Sequence, residues 1–486
     1  MRLPTGRLSC LSEEEILAFM NHALRVLDEV GMVIESEKMC RHLAARGVRW
    51  DGHYRIHFPR TLMEGYIEEQ RHRGPLSPPA RELAYEGGIS GYPVRWLDPA
   101  DSRVKAHTAR SVADLTRIAD HCENITGIGS VGVPGDIPPL LRPFFMRLIT
   151  WRYAGQTLSN SYVIWDARLC PYILEFVETV AAMEPQQGGM ERWLRVSNYL
   201  ISPLHYARPE AEQFEWFWEH GQRFFIGNLL SIGGTTPVTI AGAVGMALAE
   251  ALALSYIHYA FFGERGLSLA AGVQPLDMRT GYMPYGRPEG ALTGLAMSHI
   301  NQYYSGGWGG SAGHGTAAKG VDVEAGLFKG FAAGLQMGTC GRLDWGFGLI
   351  STDEVTDPRL VVIEDEFVSA LRRLADGFEV NEETLAFDVV KEVGPGGNFL
   401  DQLHTFDHFR REIWQAHLFS GEAWEKWVSS GEVSILEKAR RKCLDILDSY
   451  HPRGIKPETE ETLYGLIEKY ASKLGVAGYR RPVLPE

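Results

Sequence analysis

The chain has 486 residues, of which 45% are hydrophobic and 22% charged, a balance that supports a sizeable core and argues against disorder. Its formal net charge of -13, with no run of lysine or arginine, argues against a nucleic-acid or anionic-membrane surface and favours a cationic ligand. Six cysteines (Cys10, Cys40, Cys122, Cys170, Cys340 and Cys443) show no C-x-x-C spacing, which predicts reduced thiols in a cytoplasmic protein and no bound metal.

The start, "MRLPTGRLSCLSEEEILAF", has no apolar stretch followed by small residues and so does not read as a signal peptide. Ser12 with Glu15 three residues on predicts a capped helix that Gly31 stops. A second helix ends at Gly47 and a third starts near Arg60, so residues 1–80 read as an N-terminal helical layer. In "ELAYEGGISGYPVRWLDPADSRVK", glycines and Asp-Pro punctuate β-rich pieces, and residues 81–106 read as a small hairpin.

From there the chain alternates. Apolar, β-rich runs ("ITGIGSVGVP", "TLSNSYVIW", "LRVSNYLIS", "FFIGNLLSI", "LSLAAGV", "RLDWGFGLIS") are separated by helical segments starting near Thr108, Pro138, Ala167, Arg208, Val238 and Pro288. Repeated strand–helix units predict parallel strands with crossover helices, and the number of units predicts an α/β fold of the (β/α)8 TIM-barrel kind over residues 107–400. Residues 401–486 read as a C-terminal helical extension packed on that barrel. The apolar run from Thr239 to Phe262 has nearly membrane-spanning length, but Glu250 and His258 within it predict a buried helix instead.

"GIGSVG" at Gly127 to Gly132 matches a dinucleotide-binding spacing, yet the prolines that follow prevent the helix such a site needs. His404 and His408 share a helical face, but two ligands are too few for zinc and a structural role is expected. Strand ends carry the chemistry of a barrel, and the residues predicted there are rich in aromatic rings and lack a nucleophile–base pair. Tyr282, Tyr285, Trp308, Trp345 and Phe347, with Trp96 and Tyr304, are the rings that would surround a small ligand, although each ring alone is more often core packing. An aromatic wall suits a quaternary ammonium, which donates no hydrogen bond and is held by ring faces. A carboxylate on the same ligand would call for Arg279, Arg287, His205 or His314.

"LSEEEILAFMNHALRVLDEVGMVIES", "GVRWDGHYRIHFPRTLMEGYI", "GGTTPVTIAGAVGMALAEALA", "YGRPEGAL", "VEAGLFKGFAAGLQMG" and "VGPGGNFLDQLHTFDHFRREIW", in this order, resemble the trimethylamine methyltransferase (MttB-type) family. The resemblance implies a TIM barrel that transfers a methyl group from an amine to the cobalt of a corrinoid carried by a separate protein. With only standard residues, the chain resembles the non-pyrrolysine branch, which implies a quaternary amine such as glycine betaine; the alternatives are a tertiary amine or a non-catalytic amine-binding barrel. It implies further that Gly306, Gly307, Gly309 and Gly310 in "YYSGGWGGSAGHG" face the docked corrinoid, and that the chain forms a homo-oligomer.

Overall fold

The computed structural model describes residues 10–71, 84–155, 157–158, 162–306, 315–340 and 342–485. At the N-terminus α1 (Glu13–Arg25) starts from a complete capping box, in which the Ser12 hydroxyl accepts from the Glu15 N–H and the Glu15 carboxylate accepts from the Ser12 N–H. A π-turn extends it to Gly31, whose φ of 74° suits glycine, and α2 (Glu37–Ala44) and α3 (Arg60–Gln70) follow. A small sheet joins Met32–Ile34, Arg49–Trp50 and Arg55–His57 to His205–Tyr206, which ties this layer to the rest of the molecule.

The body is a mixed α/β structure built on parallel strands: β1 (Ala84–Ile89), β2 (Gly127–Ile128), β3 (Thr157–Leu158), β4 (Tyr162–Val163), β5 (Val196–Tyr199), β6 (Phe225–Gly227), β7 (Leu229–Ile232), β8 (Gly272–Pro275) and β9 (Arg342–Gly346). They pair in three ladders, β9–β1–β2–β3, β4–β5–β6 and β7–β8, every pairing parallel. Only Asn228 separates β6 from β7, so one extended stretch pairs with β5 through its first half and with β8 through its second. The first strand lies against the last, with Ala84 opposite Arg342 and Gly88 opposite Gly346.

Helices α4 (Ala109–His121), α5 (Arg142–Tyr153), α6 (Cys170–Met183), α7 (Arg208–Glu219), α8 (Ile240–Phe262), α9 (Pro288–Ser305) and α11 (Pro358–Asp376) each follow a strand, while α10 (Val323–Cys340) follows α9 with no strand between them among the described residues. Thr108 caps α4, and Asp322 accepts the Ala325 N–H at the start of α10. α8 is long and apolar enough to cross a membrane, yet most of it is buried in this fold against α1 and the strands. Its Glu250 is satisfied by the loop after β5, accepting from the Ser202 hydroxyl (2.9 Å) and the Leu204 N–H (2.8 Å), and by the Asn228 amide between β6 and β7 (3.2 Å).

Two assignments made from the sequence change. Residues 81–106 are not one hairpin: Ala84–Ile89 joins the parallel sheet, and the antiparallel pair is Arg95–Asp98 with Arg103–Ala106, which also meets Val355–Thr356. Both pieces read as β-rich, and only tertiary pairing separates them. After α11 the chain leaves the body as a projecting arm carrying α12 (Phe387–Val393) and α13 (Leu403–Glu412), and it returns at Leu418. There the Glu366 carboxylate accepts the N–H groups of His417, Leu418 and Phe419. Then α14 (Ile435–Ser449) packs on α4 and α11, and α15 (Pro457–Lys473) on α5 and α6.

Candidate functional site

Within each ladder every strand runs the same way, and segments leaving the C-terminal ends of several strands meet. Tyr92 follows β1, Trp165 follows β4, Tyr199 ends β5, Tyr282 and Tyr285 follow β8, and Asp353 follows β9. The Tyr92 hydroxyl accepts the Val163 N–H (2.9 Å), and its ring meets Trp165 edge to face at 6.2 Å. The Tyr285 hydroxyl donates to the Asp353 carboxylate, and Tyr199 lies close enough to feel the same charge. Burial pushes Tyr92 up to about 12 and raises Tyr199 and Tyr285, so all three are neutral phenols.

Asp353 is the group that stands out. Burial raises its carboxyl to about 6, against the opposing pull of Lys329 and the Tyr285 hydrogen bond. It sits in a turn in which Ser351, Thr352 and Asp353 adopt φ values of 55°, 53° and 64° in succession, a left-handed run without a glycine. Neighbouring backbone imposes the turn: Ser351 N–H donates to the Ala318 carbonyl (2.8 Å), Thr352 N–H to Thr316 (2.9 Å), and the Tyr282 hydroxyl to the Ser351 carbonyl (2.8 Å). The Ala317 N–H donates to the Tyr285 carbonyl (3.2 Å), so residues 315–319 link the loop after β8 to the turn after β9.

Two cations border these rings. Lys319 holds its ammonium 4.9 Å over the Tyr282 ring and donates to the Ser351 hydroxyl at 2.8 Å, at an exposed position. Lys329, from the inner face of α10, is buried; it pairs with Glu364 of α11, donates to the Gly346 carbonyl (3.2 Å) and lies 5.4 Å over Trp345. Burial also raises Glu364, which accepts the Gly348 N–H at 2.7 Å. One buried ammonium thus stands near two carboxylates, Asp353 and Glu364, both of which burial raises.

Of the rings expected from the sequence, Tyr282 and Tyr285 belong to this cluster. Trp345 and Phe347 are buried in the core: with Leu343 they share one face of β9 and its extension, and Trp345 packs on Phe367 of α11 at 5.8 Å. Trp96 is buried against His107, and Tyr304 lies beside Tyr303 under Arg71. Arg279 is exposed and forks onto Asp277, while His205 bonds Glu35 (3.1 Å) on the small sheet. Gly306 ends α9 in a left-handed cap. Trp308, His314, Gly307, Gly309 and Gly310 lie outside the described residues. Sequence reading passed over Tyr92, Tyr199, Lys319, Lys329 and Asp353; the "STD" after a β-rich run at a strand end was the one local signal for the last of them.

Around the cluster, successive strand ends expose apolar side chains: Trp165, Tyr199, Ile201, Val238 and Met278. Among the described residues, burial raises the thiols of Cys40, Cys122, Cys170 and Cys443 well above their ordinary range. A separate cavity of about 610 Å³ between α1, α8 and α9 is lined by Cys10, Phe19, His22, Ile240, Leu292 and Ala296 and takes no residue from the strand ends.

The model of the trimethylamine methyltransferase (MTTB) family matches residues 2–475. The trimethylamine methyltransferase MttB of Desulfitobacterium hafniense (strain DSM 10664 / DCB-2) is 25% identical over 488 residues, covering 97% of this chain and 95% of its own length. The glycine betaine methyltransferase of Desulfitobacterium hafniense (strain Y51) is 24% identical over 503 residues, covering 96% and 98%. Among solved structures, a hydroxylamine complex of MtmB aligns with a TM-score of 0.46 at 13% identity, over 98% of this chain and 96% of that one. The chain belongs to the trimethylamine methyltransferase family.

Proposed function

We propose that this chain removes a methyl group from a quaternary amine of the betaine kind and passes it to a corrinoid on a separate protein, at the mouth of a closed (β/α)8 barrel. The parallel ladders, the pairing of first strand with last, and the alternation of strand and helix over most of the body support the closed barrel. The observation that carries the substrate reading is Asp353: a half-buried, partly desolvated carboxylate in a strained turn, bonded to Tyr285 and beside Tyr199. A permanent cation gives up its water to ring faces at about 0.5 to 2 kcal/mol each and gains a desolvated counter-charge besides. Lys319, exposed at the edge over Tyr282, suits the carboxylate at the other end of a betaine.

Bound to its carrier, the corrinoid supplies the cobalt(I) nucleophile that accepts the methyl group. The chemistry at the mouth fits such an outside acceptor, because among the described residues the cluster offers no thiolate nucleophile and the rim of Trp165, Tyr199, Ile201, Val238 and Met278 is apolar, as a macrocycle-bearing partner would require. When the C–N bond breaks, its electron pair stays on nitrogen and a neutral tertiary amine departs. No proton is needed, so no general acid has to be present. The residues of this chain orient and desolvate: Asp353 and the phenols fix the ammonium, Lys319 fixes the tail, and one methyl points outward.

Calorimetry with glycine betaine and trimethylamine tests the reading. Glycine betaine should bind, and Asp353→Asn should weaken it about tenfold to a hundredfold, or about 1.4 to 2.8 kcal/mol. Undiminished binding in that variant removes Asp353 from the site, and a preference for trimethylamine removes the betaine.

A further inference from the structure

We infer that residues 378–413 form an arm that packs on a second copy of this chain, across the outer face of α10. The arm is shaped before it meets anything. Both feet are clamped by Arg373, which donates to the Gly377 and Glu412 carbonyls at 2.7 Å each, and Trp414 donates to the Ser369 hydroxyl at 3.2 Å. Its two sides are joined by Arg411 with Glu379 (3.0 Å) and His408 with Glu383 (3.6 Å), and the His404 ring lies tilted against that of His408 at 4.3 Å. The histidine pair singled out in the sequence therefore stiffens the arm.

Neither α12 nor α13 buries a single residue within the chain. Phe378, Phe387, Leu400, Leu403, Phe406 and Ile413 are 60–85% exposed. Together with their smaller neighbours they present on the order of 1,000 Å² of apolar surface, taking about 200 Å² for a whole aromatic side chain. The largest apolar patch on a typical monomer is about 300–600 Å², and each side of a standard interface contributes about 800 Å². The arm thus carries enough for a stable interface and too much to leave in water.

A copy of this chain is the occupant that fits. An arm without a core of its own needs cover at all times, and obligate contacts between copies are the apolar kind, whereas a corrinoid carrier must dock and leave at each turnover. The receiving surface is also present. On α10, Val323, Leu327 and Phe331 form an i, i+4, i+8 row, 54–76% exposed. Gly326, Gly330 and Gly334 run beside it with open space where a Cβ would stand, a trough for large side chains. Because the inner face of the same helix carries Lys329, the contact would also steady the helix behind Asp353.

Sedimentation of the full-length protein and its variants tests this directly. The natural chain should run at two chains or a multiple, and both the Leu403→Asp, Phe406→Asp double variant and Leu327→Asp should fall to the mass of one chain with unchanged far-ultraviolet circular dichroism. Leu400→Ser, a milder change, should raise the dissociation constant at least tenfold and keeps the test valid if an aspartate variant fails to fold. A natural chain that runs as a monomer, or arm variants that keep its mass, overturns the proposal. Dissociation by the arm variants with Leu327→Asp unaffected overturns α10 as the receiving face.

Discussion

Asp353 pays twice for its position, once in backbone and once in charge. Each left-handed residue other than glycine costs about 1 to 2 kcal/mol, and a β-branched threonine is the worst placed of the three. Thr352→Gly should therefore raise stability by about 1 kcal/mol in urea unfolding, helped by removal of a buried hydroxyl that lacks a partner. The carboxyl adds a pH dependence with two opposite signs. Held at about 6 when folded against an ordinary 3.8, it binds its proton more tightly in the native state. Stability from this group is therefore present at low pH and is lost as pH rises from about 4 to 6. Asp353→Asn should be more stable than the natural protein at pH 7 by on the order of 2 kcal/mol, with the gap closing below pH 4, as thermal unfolding at both values would read. Binding of a cation runs the other way: it should weaken about tenfold per pH unit below about 6, measured by calorimetry across that range.

Elements α10 and α11 meet through one buried ion pair. Lys329→Met would leave Glu364 in the core with its counter-charge gone, and should cost about 3 to 5 kcal/mol by urea midpoint. Adding Glu364→Leu should recover most of that loss, because no unpaired charge then remains in the core. Helix starts were legible in the sequence because caps are local: Ser12 with Glu15 and Thr108 sit where the predicted helices begin. Trp345 and Phe347 show the opposite case. Period-two alternation puts them on the face of Leu343, and which face of a strand looks to the helix layer is decided by neighbours far along the chain.

At the scale of the molecule, alternation of strand and helix was readable, and the identity of the residues that meet at the strand ends was not. Tyr92, Tyr199, Tyr285 and Asp353 come from four separate crossovers, and their convergence is a property of strand order. The arm escaped notice for a related reason, because its apolar spacing reads like that of any packed helix until the rest of the fold is seen not to cover it. The contact of β1 with β9 has a consequence for biosynthesis. These partners are more than half the chain apart, so a strand made early must wait on the ribosome with one side open until the last has emerged. Such a nascent chain is a natural client for chaperones, and slowing translation before Arg342 would lengthen the interval in which it needs one.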